Sequence, residues 1–394
     1  MKIAEIRETT VPIRSSMKNA YISFAEMTVS IVAVITDVRR EGRPVVGFGF
    51  NSNGRYAQGG ILQTRMVPRL LRAPTEALLS ESGSSIDPLK AWDVMMGNEK
   101  PGGHGDRSVA VGILDMAFCD LAAKLEEKPL HRLLWDRFGS RLGLEMKAPD
   151  ERVFVYAAGG YYDEEKGLDG LTEEMRRYLD MGYSTVKMKI GGAPLSEDLA
   201  RIEAVLKLLP SGERLAVDAN GRFDQKTAIE YAHALAPYEL KWYEEPGDPL
   251  DYELNAAVRA ESKTPLATGE NLFSRQEVLN LLRYGGMNPK EDFLQTDPAL
   301  AYGLSEYLRI AELLRENGWK LRRCIPHGGH QFALQIASGI GLYGNESYPG
   351  IFAPFGGFAD EVQVEEGYVR NPEAPGIGIE HKAELYSLFR ELID

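Results

Sequence analysis

The pattern of hydrophobic and polar positions changes along the chain, and each change predicts a different kind of element. Residues 1–51 contain β-branched runs separated by turn residues, which is typical of hairpin-like strands in a small antiparallel sheet. From residue 61 to about 142 the apolar positions follow a helical period, with Val109 and Ile113 spaced for one buried face. The first third of the chain is therefore predicted to be a sheet followed by helices.

From Val153 onward, short apolar runs alternate with helical segments. The helices are predicted at 196–209, 225–236, 274–284 and 303–316. Alternating units of this kind fit either an open doubly wound sheet or a (β/α)₈ barrel. The barrel is preferred because no GxGxxG segment follows an early strand. The strands are predicted at 153–157, 185–189, 215–218, 242–244, 266–268, 293–295 and 321–325.

The tail after Gly357 departs from this alternation. A strand is predicted at 362–364 and a final helix at about 381–393. Because these elements have no βα partner of their own, we expect the tail to pack back against the N-terminal sheet.

Composition and charge narrow the class of protein. The chain has 394 residues, of which 44% are hydrophobic and 26% are charged, as in an ordinary globular protein. Its net charge of −13 argues against nucleic-acid and anionic-membrane partners. Cys119 and Cys324 lack CxxC spacing, and neither a signal pattern nor a membrane-length apolar run is present. We therefore expect a cytoplasmic protein without disulfides.

Two lysines share one face of the predicted strand 185–189. Side chains of a strand alternate between two faces, so Lys187 and Lys189 point one way while Val186 and Met188 point the other. A strand flanked by helical segments should be buried, and a buried charge without a partner costs on the order of several kcal/mol. The two ammonium groups therefore need anions nearby.

Acidic residues stand at the ends of the next three predicted strands. Asp218, Glu244 and Glu270 follow one another at intervals of 26 residues, about one βα unit each. Barrel enzymes build their active sites at this end of the strands. Three oxygen ligands without His or Cys favour Mg²⁺ over Zn²⁺. Any one of these acids alone fits a helix cap or a surface position, but three in register predict a metal site.

The next two strand ends carry a carboxylate and an imidazole. Asp297 follows Glu270 by 27 residues, and His327 follows Asp297 by 30 residues. A neighbouring carboxylate orients a histidine ring and raises its pKa, so that the imidazolium can donate a proton. A lone histidine is usually structural, but this one has a partner and adjacent glycines that leave room for a ligand.

Six short segments taken in chain order resemble the enolase superfamily, mandelate racemase subgroup. They are KMK, DAN, EEP, GEN, QTD and PHGGH, and the resemblance extends over essentially the whole chain. It implies an α/β fold, a modified TIM barrel (β/α)₇β with an α+β capping domain formed by both ends of the chain. The expected division is a capping domain at 1–145, a barrel at 146–357 and a C-terminal segment at 358–394.

The resemblance also implies roles for the residues above. Lys189 matches the base, Lys187 its electrostatic neighbour, and Asp297 with His327 the acid dyad. The implied Mg²⁺ ligands are Asp218, Glu244 and Glu270, with Glu244 preferred to Glu245 because the family pattern puts the ligand first in the pair.

Four further segments, 19–24, 51–56, 98–105 and 156–162, resemble the D-tartrate dehydratases of this subgroup. They are expected to touch the distal part of the substrate. Lys100 is expected to reach a second carboxylate, with a solvated loop lysine as the competing interpretation, and Glu346 to hydrogen-bond a carboxylate. The substrate-binding candidates are Tyr21, Asn53, Lys100, Asn220 and Glu346.

The implied reaction is Mg²⁺-dependent removal of water from a hydroxy diacid, D-tartrate to oxaloacetate, through an enediolate. Lys189 takes the proton, and we expect Lys187 and the metal to lower its pKa. His327 then protonates the departing hydroxyl. The same residues fit another acid-sugar dehydratase, a racemase or an epimerase. A two-carboxylate glycosidase would not need paired lysines, and a non-catalytic metal-binding barrel would not need the dyad. The expected partners are this small substrate and further copies of the chain in a homo-oligomer.

Overall fold

The N-terminal part of the chain is a three-stranded antiparallel sheet covered by helices. The computed structural model describes residues 1–13, 15, 17–162 and 167–394. The sheet runs in the order β1, β2, β3, with ranges Ile3–Pro12, Thr28–Arg40 and Arg43–Phe50. A π-helical turn, Leu62–Met66, joins the first two helices. The helices are α1 Gln58–Ile61, α2 Val67–Arg72, α3 Pro88–Met96, α4 Asp106–Leu125 and α5 Leu130–Phe138.

Helix α4 is the centre of this region. It is buried on nearly every side rather than on the single face that its spacing predicts. The capping sheet covers one side, where Gly49 has no side chain and lets the backbone of Ile113 approach. The barrel covers another side, where Gly112 lies against the carbonyl of Ala299. The helix is apolar all round because it is packed between two layers.

The remainder is a closed parallel barrel. Its strands are β4 Val153–Gly159, β5 Val186–Lys189, β6 Leu215–Asp218, β7 Trp242–Glu244, β8 Leu266–Thr268, β9 Phe293–Leu294 and β10 Asn345–Ser347. Strand β10 returns to pair with β4, and every neighbouring pair along this path is parallel. The surrounding helices are α6 Gly167–Asp180, α7 Leu195–Leu206, α8 Gln225–Leu235, α9 Tyr252–Glu261, α10 Arg275–Tyr284, α11 Leu304–Glu316 and α12 Gln331–Ile340.

The seventh strand position differs from the prediction. Residues Leu321–Arg323 form a 3₁₀ turn, and within the predicted strand 321–325 only Cys324 makes a parallel bridge, to Leu294. The turn forms because the N–H groups of Arg323 and Cys324 are bonded to the carbonyls of Lys320 and Leu321. The Tyr343 N–H donates to the Cys324 carbonyl over 3.0 Å and continues the barrel. The expected (β/α)₇β barrel with its capping domain is confirmed, with a seventh strand shortened to one bridge.

The predicted strand at 362–364 is wrong. The strand lies at Tyr368–Val369 (β11), after the turn at Glu365–Gly367, and pairs antiparallel with Val153 and Phe154 at the start of β4. Alternation alone placed it too early, because the pairing residues are selected by the start of β4, which precedes the residues paired with β10 and β5.

The C-terminal helix α13 (Ala383–Ile393) lies against the capping sheet. The rings of Phe389 and Phe48 are 4.8 Å apart, and Arg7 donates from Nη1 to the carbonyl of Ile393 over 2.9 Å. The three domain boundaries stay a prediction. Cys119 and Cys324 are buried free thiols, and no helix in the described ranges has the length and apolarity needed to cross a membrane.

Candidate active site

Three carboxylates meet at the C-terminal end of the barrel. Asp218 and Glu244 end β6 and β7 and face each other in register, while Glu270 lies just beyond β8. One oxygen from each residue lies within 4.8 Å of the other two. Asp218 and Glu244 are completely buried. These residues can hold a divalent cation by oxygen ligands and leave its other positions for substrate and water.

The two lysines of β5 face this cluster from one side. Lys189 Nζ lies 2.5 Å from Asp218 Oδ2. Lys187 Nζ lies 2.5 Å from Glu244 Oε1, 2.8 Å from Glu346 Oε1 and 3.5 Å from Asp218 Oδ2. Strand alternation thus places both ammonium groups among anions, as their burial requires.

The site carries surplus negative charge. Among the described residues the contacts connect five carboxylates, two ammonium groups and one imidazole, which would leave two negative charges with every carboxylate ionised and the imidazole protonated. Burial and the nearby Asp218 carboxylate raise the pKa of Glu244 to about 8. Trp242 and Gln295 donate to Glu244 Oε2 over 2.8 and 2.9 Å, which fixes the other oxygen toward the cluster. A divalent cation would balance this surplus.

The pKa of Lys189 departs from the expectation. Burial lowers it most, but the Asp218 carboxylate together with Tyr161 and Glu270 outweighs burial and raises the pKa of Lys189 above its ordinary value. The expectation of a lowered pKa counted Lys187 and the metal but not a carboxylate in direct contact. With the protein groups alone, Lys189 is therefore an ammonium.

Asp297 and His327 form a hydrogen-bonded dyad. Asp297 Oδ2 lies 2.8 Å from His327 Nδ1, and the N–H groups of Ala299 and Leu300 donate to Asp297 Oδ1. Burial lowers the pKa of His327, but Glu270, Glu346 and Asp297 together raise it to about 9. His327 Nε2 is turned toward the cluster, 3.5 Å from Glu270 Oε2. At neutral pH the ring is an acid aimed at the site.

A cavity of about 430 Å³ lies above the cluster, between the barrel and the capping loops. Lys189, Glu270 and His327 line it from the barrel. Three of the five substrate-binding candidates also line it, namely Tyr21, Asn53 and Asn220. Asn53 Nδ2 is 3.2 Å from His327 Nε2, and Asn220 Nδ2 is 3.4 Å from Asp218 Oδ2.

The other two candidates lie elsewhere. Glu346 is buried beneath the cavity, where it contacts Lys187 and accepts from the Gly328 N–H over 3.1 Å. Lys100 is exposed and is not among the residues that line the cavity, and its carbonyl accepts from Arg107. The structure therefore leaves Lys100 as a loop lysine, and its contact with a second carboxylate stays a prediction.

Several cavity residues were not named from the sequence, and three of them, Arg55, Tyr161 and Tyr348, have polar groups or ring faces near the site. Arg55 lines the cavity with no carboxylate within 4.0 Å among the described residues, and its guanidinium lies 5.9 Å from the Phe273 ring centre. Tyr348 OH is 3.2 Å from His327 Nε2, and Lys189 Nζ is 5.2 Å from the Tyr161 ring centre. Arg55 and Tyr161 belong to segments 51–56 and 156–162, which the sequence predicted to touch the substrate without indicating which of their residues do so. Tyr348 stands two residues after Glu346, the spacing of one strand face.

Comparison with known proteins gives a family and a set of relatives. The model of the family described as "Enolase C-terminal domain-like" matches residues 170–385. Arabinonate dehydratase of Saccharolobus solfataricus is 28% identical over 315 residues, covering 76% of this chain and 77% of that protein. The 3,6-anhydro-alpha-L-galactonate cycloisomerase of Streptomyces coelicolor is 29% identical over 340 residues, covering 86% of each.

Solved structures agree with the fold over the whole chain. A racemase from Streptomyces coelicolor A3(2) with bound magnesium superposes with a TM-score of 0.76 at 24% identity and covers 99% of both chains. L-Talarate dehydratase from Polaromonas sp. JS666, complexed with Mg and L-glucarate, superposes with a TM-score of 0.74 at 25% identity. That comparison covers 95% of this chain and 92% of the other.

Proposed function

Because the chain belongs to the enolase C-terminal domain-like family, we propose that it is a Mg²⁺-dependent dehydratase of a hydroxy diacid, converting D-tartrate to oxaloacetate. The observation that carries the proposal is the placement of Lys189 and His327 on one cavity, from strands on opposite sides of the barrel. A base and an acid so placed can remove a proton and protonate a leaving hydroxyl on adjacent carbons.

The metal fits the residues present. Asp218, Glu244 and Glu270 would hold it, and their surplus charge matches a divalent cation. When bound, Mg²⁺ supplies positive charge that stabilises the anion developing beside the substrate carboxylate. Lys187 adds a fixed ammonium on the same side, already oriented by Glu244 and Glu346.

The proton moves through this chain's own residues. Lys189 accepts it from the carbon beside the bound carboxylate, in the neutral form that becomes accessible when Asp218 is shared with a cation. His327 donates a proton from Nε2 to the hydroxyl that leaves the next carbon, while Asp297 holds the ring by Nδ1. The C–O bond breaks and water departs. The enol that remains tautomerises to a 2-oxo diacid.

Arg55 supports a substrate with two acid groups. It is the cavity's cationic side chain outside the lysine and metal cluster, and no carboxylate among the described residues pairs with it. A guanidinium binds a carboxylate by two parallel hydrogen bonds. We expect Arg55→Gln to raise KM for the diacid by about 10- to 100-fold. KM for a matching monoacid should be unchanged, and equal effects on both would remove this support.

The substrate is tested by a panel of D-, L- and meso-tartrate with galactarate, L-talarate, arabinonate and gluconate. We expect the highest kcat/KM for D-tartrate, with oxaloacetate as the product. A preference for a six-carbon or five-carbon acid would contradict the substrate while leaving dehydration in place.

A second candidate is dehydration of such an acid sugar. It is favoured by the relatives, one of which is an arabinonate dehydratase and another of which was solved with L-glucarate. Racemisation or epimerisation is separated from both candidates by NMR in D₂O, because it exchanges the carbon-bound proton without loss of water.

We also propose that the protein is a cytoplasmic homo-oligomer. The two buried free thiols are compatible with a reducing compartment. Sedimentation velocity would test the oligomer, and a single monomer species at working concentration would contradict it.

A further inference from the structure

A second cavity, of about 700 Å³, lies at the opposite end of the barrel, and we call it the basal cavity. Its walls come from the N-terminal ends of strands, including Val153 and Phe154 of β4 and Phe293 of β9. Arg214 and Lys241 stand immediately before β6 and β7. The basal cavity is therefore separated from the active site by the length of the strands.

The basal cavity is strongly basic in an acidic protein. Five cationic side chains line it, Arg152, Arg214, Lys241, Arg322 and Arg323, together with a single carboxylate, Asp150. That carboxylate is taken by Arg322, whose two terminal nitrogens lie 2.6 and 2.9 Å from its oxygens. Among the described residues the other four cations have no carboxylate within 4.0 Å. Four positive charges are thus gathered without a counter-charge on a chain of net charge −13.

Lys241 is the side chain in the basal cavity that is best placed to donate hydrogen bonds to an anion. Its ammonium lies 4.9 Å from the Tyr343 ring centre and 5.0 Å from that of Phe154, and it donates one hydrogen bond to Tyr343 OH over 2.8 Å. An ammonium has three N–H donors, so two stay available. Aromatic rings hold the cation without neutralising it. Lys241 is only partly exposed, which strengthens any interaction with an anion.

The arginines extend the basic surface to the rim. Arg323 lies 5.1 Å from the Phe293 ring centre, and Arg152 lies 5.0 Å from that of Tyr368. Their hydrogen bonds go to backbone carbonyls, those of Glu291 and Glu365, so the guanidinium charges are not cancelled. The adjoining cavity is lined by two glutamates, Glu361, whose carboxylate pairs with His381, and the exposed Glu365, and neither carboxylate lies within 4.0 Å of a basal cation.

We propose that the basal cavity binds a small organic anion with at least two oxyanion groups. Lys241 and Arg323 would hold the anion, and Arg152 and Arg214 would add positive charge at the rim. The volume lies in the range of small-molecule cavities, about 300–1,000 Å³, and is large for one inorganic ion. Guanidinium groups bind phosphate and carboxylate groups alike, so the proposal specifies the number of negative charges on the ligand and not which of these groups carries them. The proposal is independent of the reaction at the other end.

The test is calorimetric titration of the Mg²⁺-loaded protein with fructose 1,6-bisphosphate, with propane-1,2,3-tricarboxylate and with inorganic phosphate. We expect one of the two polyanions to bind one site per chain, and inorganic phosphate to bind more weakly. The bisphosphate or the tricarboxylate as the better ligand identifies the source of the charge. Absence of saturable binding by either polyanion up to millimolar concentration would overturn the proposal.

Variants locate the ligand. Lys241→Gln with Arg323→Gln should weaken binding by at least about tenfold, since each removes a charge-assisted hydrogen bond. Arg214→Gln, on the exposed rim, should weaken binding less and keeps the test valid if the double variant fails to fold. Lys226→Gln, exposed on α8, is the matched charge control and should change nothing.

Two further outcomes would count against the proposal. Loss of binding in Lys189→Ala but not in the basal variants would place the ligand in the active site. Dissociation of an oligomer by the basal variants, seen by sedimentation, would mean that an acidic segment of a second copy occupies the cavity.

Discussion

The two ends of the barrel are opposites in charge, although the same strands form both. At the C-terminal end, Lys187, Lys189 and His327 each lie within 2.8 Å of a carboxylate, and the acids outnumber them. At the N-terminal end, five cations line the basal cavity, and within the described part of the chain only Arg322 contacts a carboxylate. In barrels of this kind the upper end holds the chemistry and the lower end usually serves stability. Here the C-terminal end has a surplus of negative charge that suits a cation, and the N-terminal end has a surplus of positive charge that suits an anion.

Two lysines illustrate the difference. Lys187 is almost completely buried, and the carboxylates of Glu244 and Glu346 outweigh burial and raise its pKa well above the ordinary value. Lys241 is held by aromatic rings and a phenol hydroxyl instead. The ammonium group of Lys187 is paired with carboxylates of the protein, while that of Lys241 can bind an anion from solution.

The largest effect should come from Lys189→Ala, which removes the base from the upper end. We expect kcat for dehydration to fall by about 10²- to 10⁴-fold, the contribution of general base catalysis. Mg²⁺ binding should persist, because Asp218 loses a competing ammonium. Steady-state kinetics and metal titration measure both, and near-normal turnover would show that another group takes the proton. Lys226→Gln serves as the unaffected control.

The next largest effect should be a difference in unfolding free energy between a lysine variant at the C-terminal end of the barrel and one at the N-terminal end. Lys187→Met leaves Glu244 and Glu346 buried without their ammonium and should destabilise the protein by about 3–5 kcal/mol. Lys241→Met loses its cation–π contacts and one hydrogen bond to Tyr343 OH but strands no buried carboxylate, and it should cost about 1–3 kcal/mol. Urea unfolding of the chelated proteins compares them. Equal losses of unfolding free energy in the two variants would contradict the distinction between a lysine paired with carboxylates and a lysine without a carboxylate partner.

The adjacent pair Glu244 and Glu245 tests which carboxylate holds the metal. Glu244→Gln should weaken Mg²⁺ binding by at least about 100-fold, since even the outer partners of metal ligands contribute about 10–100-fold. Glu245→Gln should weaken it far less, because Asn271 Nδ2 holds Glu245 at 3.0 and 3.2 Å. Calorimetry measures both affinities. The reverse order would contradict the ligand assignment.

The smallest effect is a shift of the His327 titration. Its pKa of about 9 lies above the ordinary value of about 6.5, so protonation adds stability that is complete below about pH 6.5 and is lost as pH rises through 9. Asp297→Asn should lower this pKa by about 1–3 units, because a carboxylate in contact is removed. NMR titration of the ring measures the shift. Ser52→Ala, which removes only a hydroxyl that donates to Asp297, should shift it less.

Much of the upper end follows from sequence because strand alternation and βα spacing are local rules. They place Lys187 and Lys189 on one face and bring Asp218, Glu244 and Glu270 together, as the structure has them. The seventh strand was predicted at 321–325, but its shortening could not be predicted this way, since its pairing is reduced to Cys324 and a helical turn competes for Arg323.

Other features depend on contacts between distant segments. The raised pKa of Lys189 needs the distance to Asp218, and the place of Lys100 needs the path of the capping loop. The basal cavity joins Arg152, Arg214, Lys241 and Arg323, each of which directly precedes a strand or bridge residue of the barrel, but that shared position does not show that their charges lack a carboxylate partner. Each is an unremarkable basic residue until the barrel closes.

The central claim is that metal-dependent proton abstraction by Lys189 drives loss of water from D-tartrate. The most direct measurement is oxaloacetate formation from D-tartrate by the wild-type protein with Mg²⁺, after chelation, and after Mg²⁺ is restored, beside Lys189→Ala. We expect turnover that disappears on chelation, returns with Mg²⁺ and is nearly absent in the variant. Oxaloacetate formed at equal rates by the chelated protein or by the variant would contradict it.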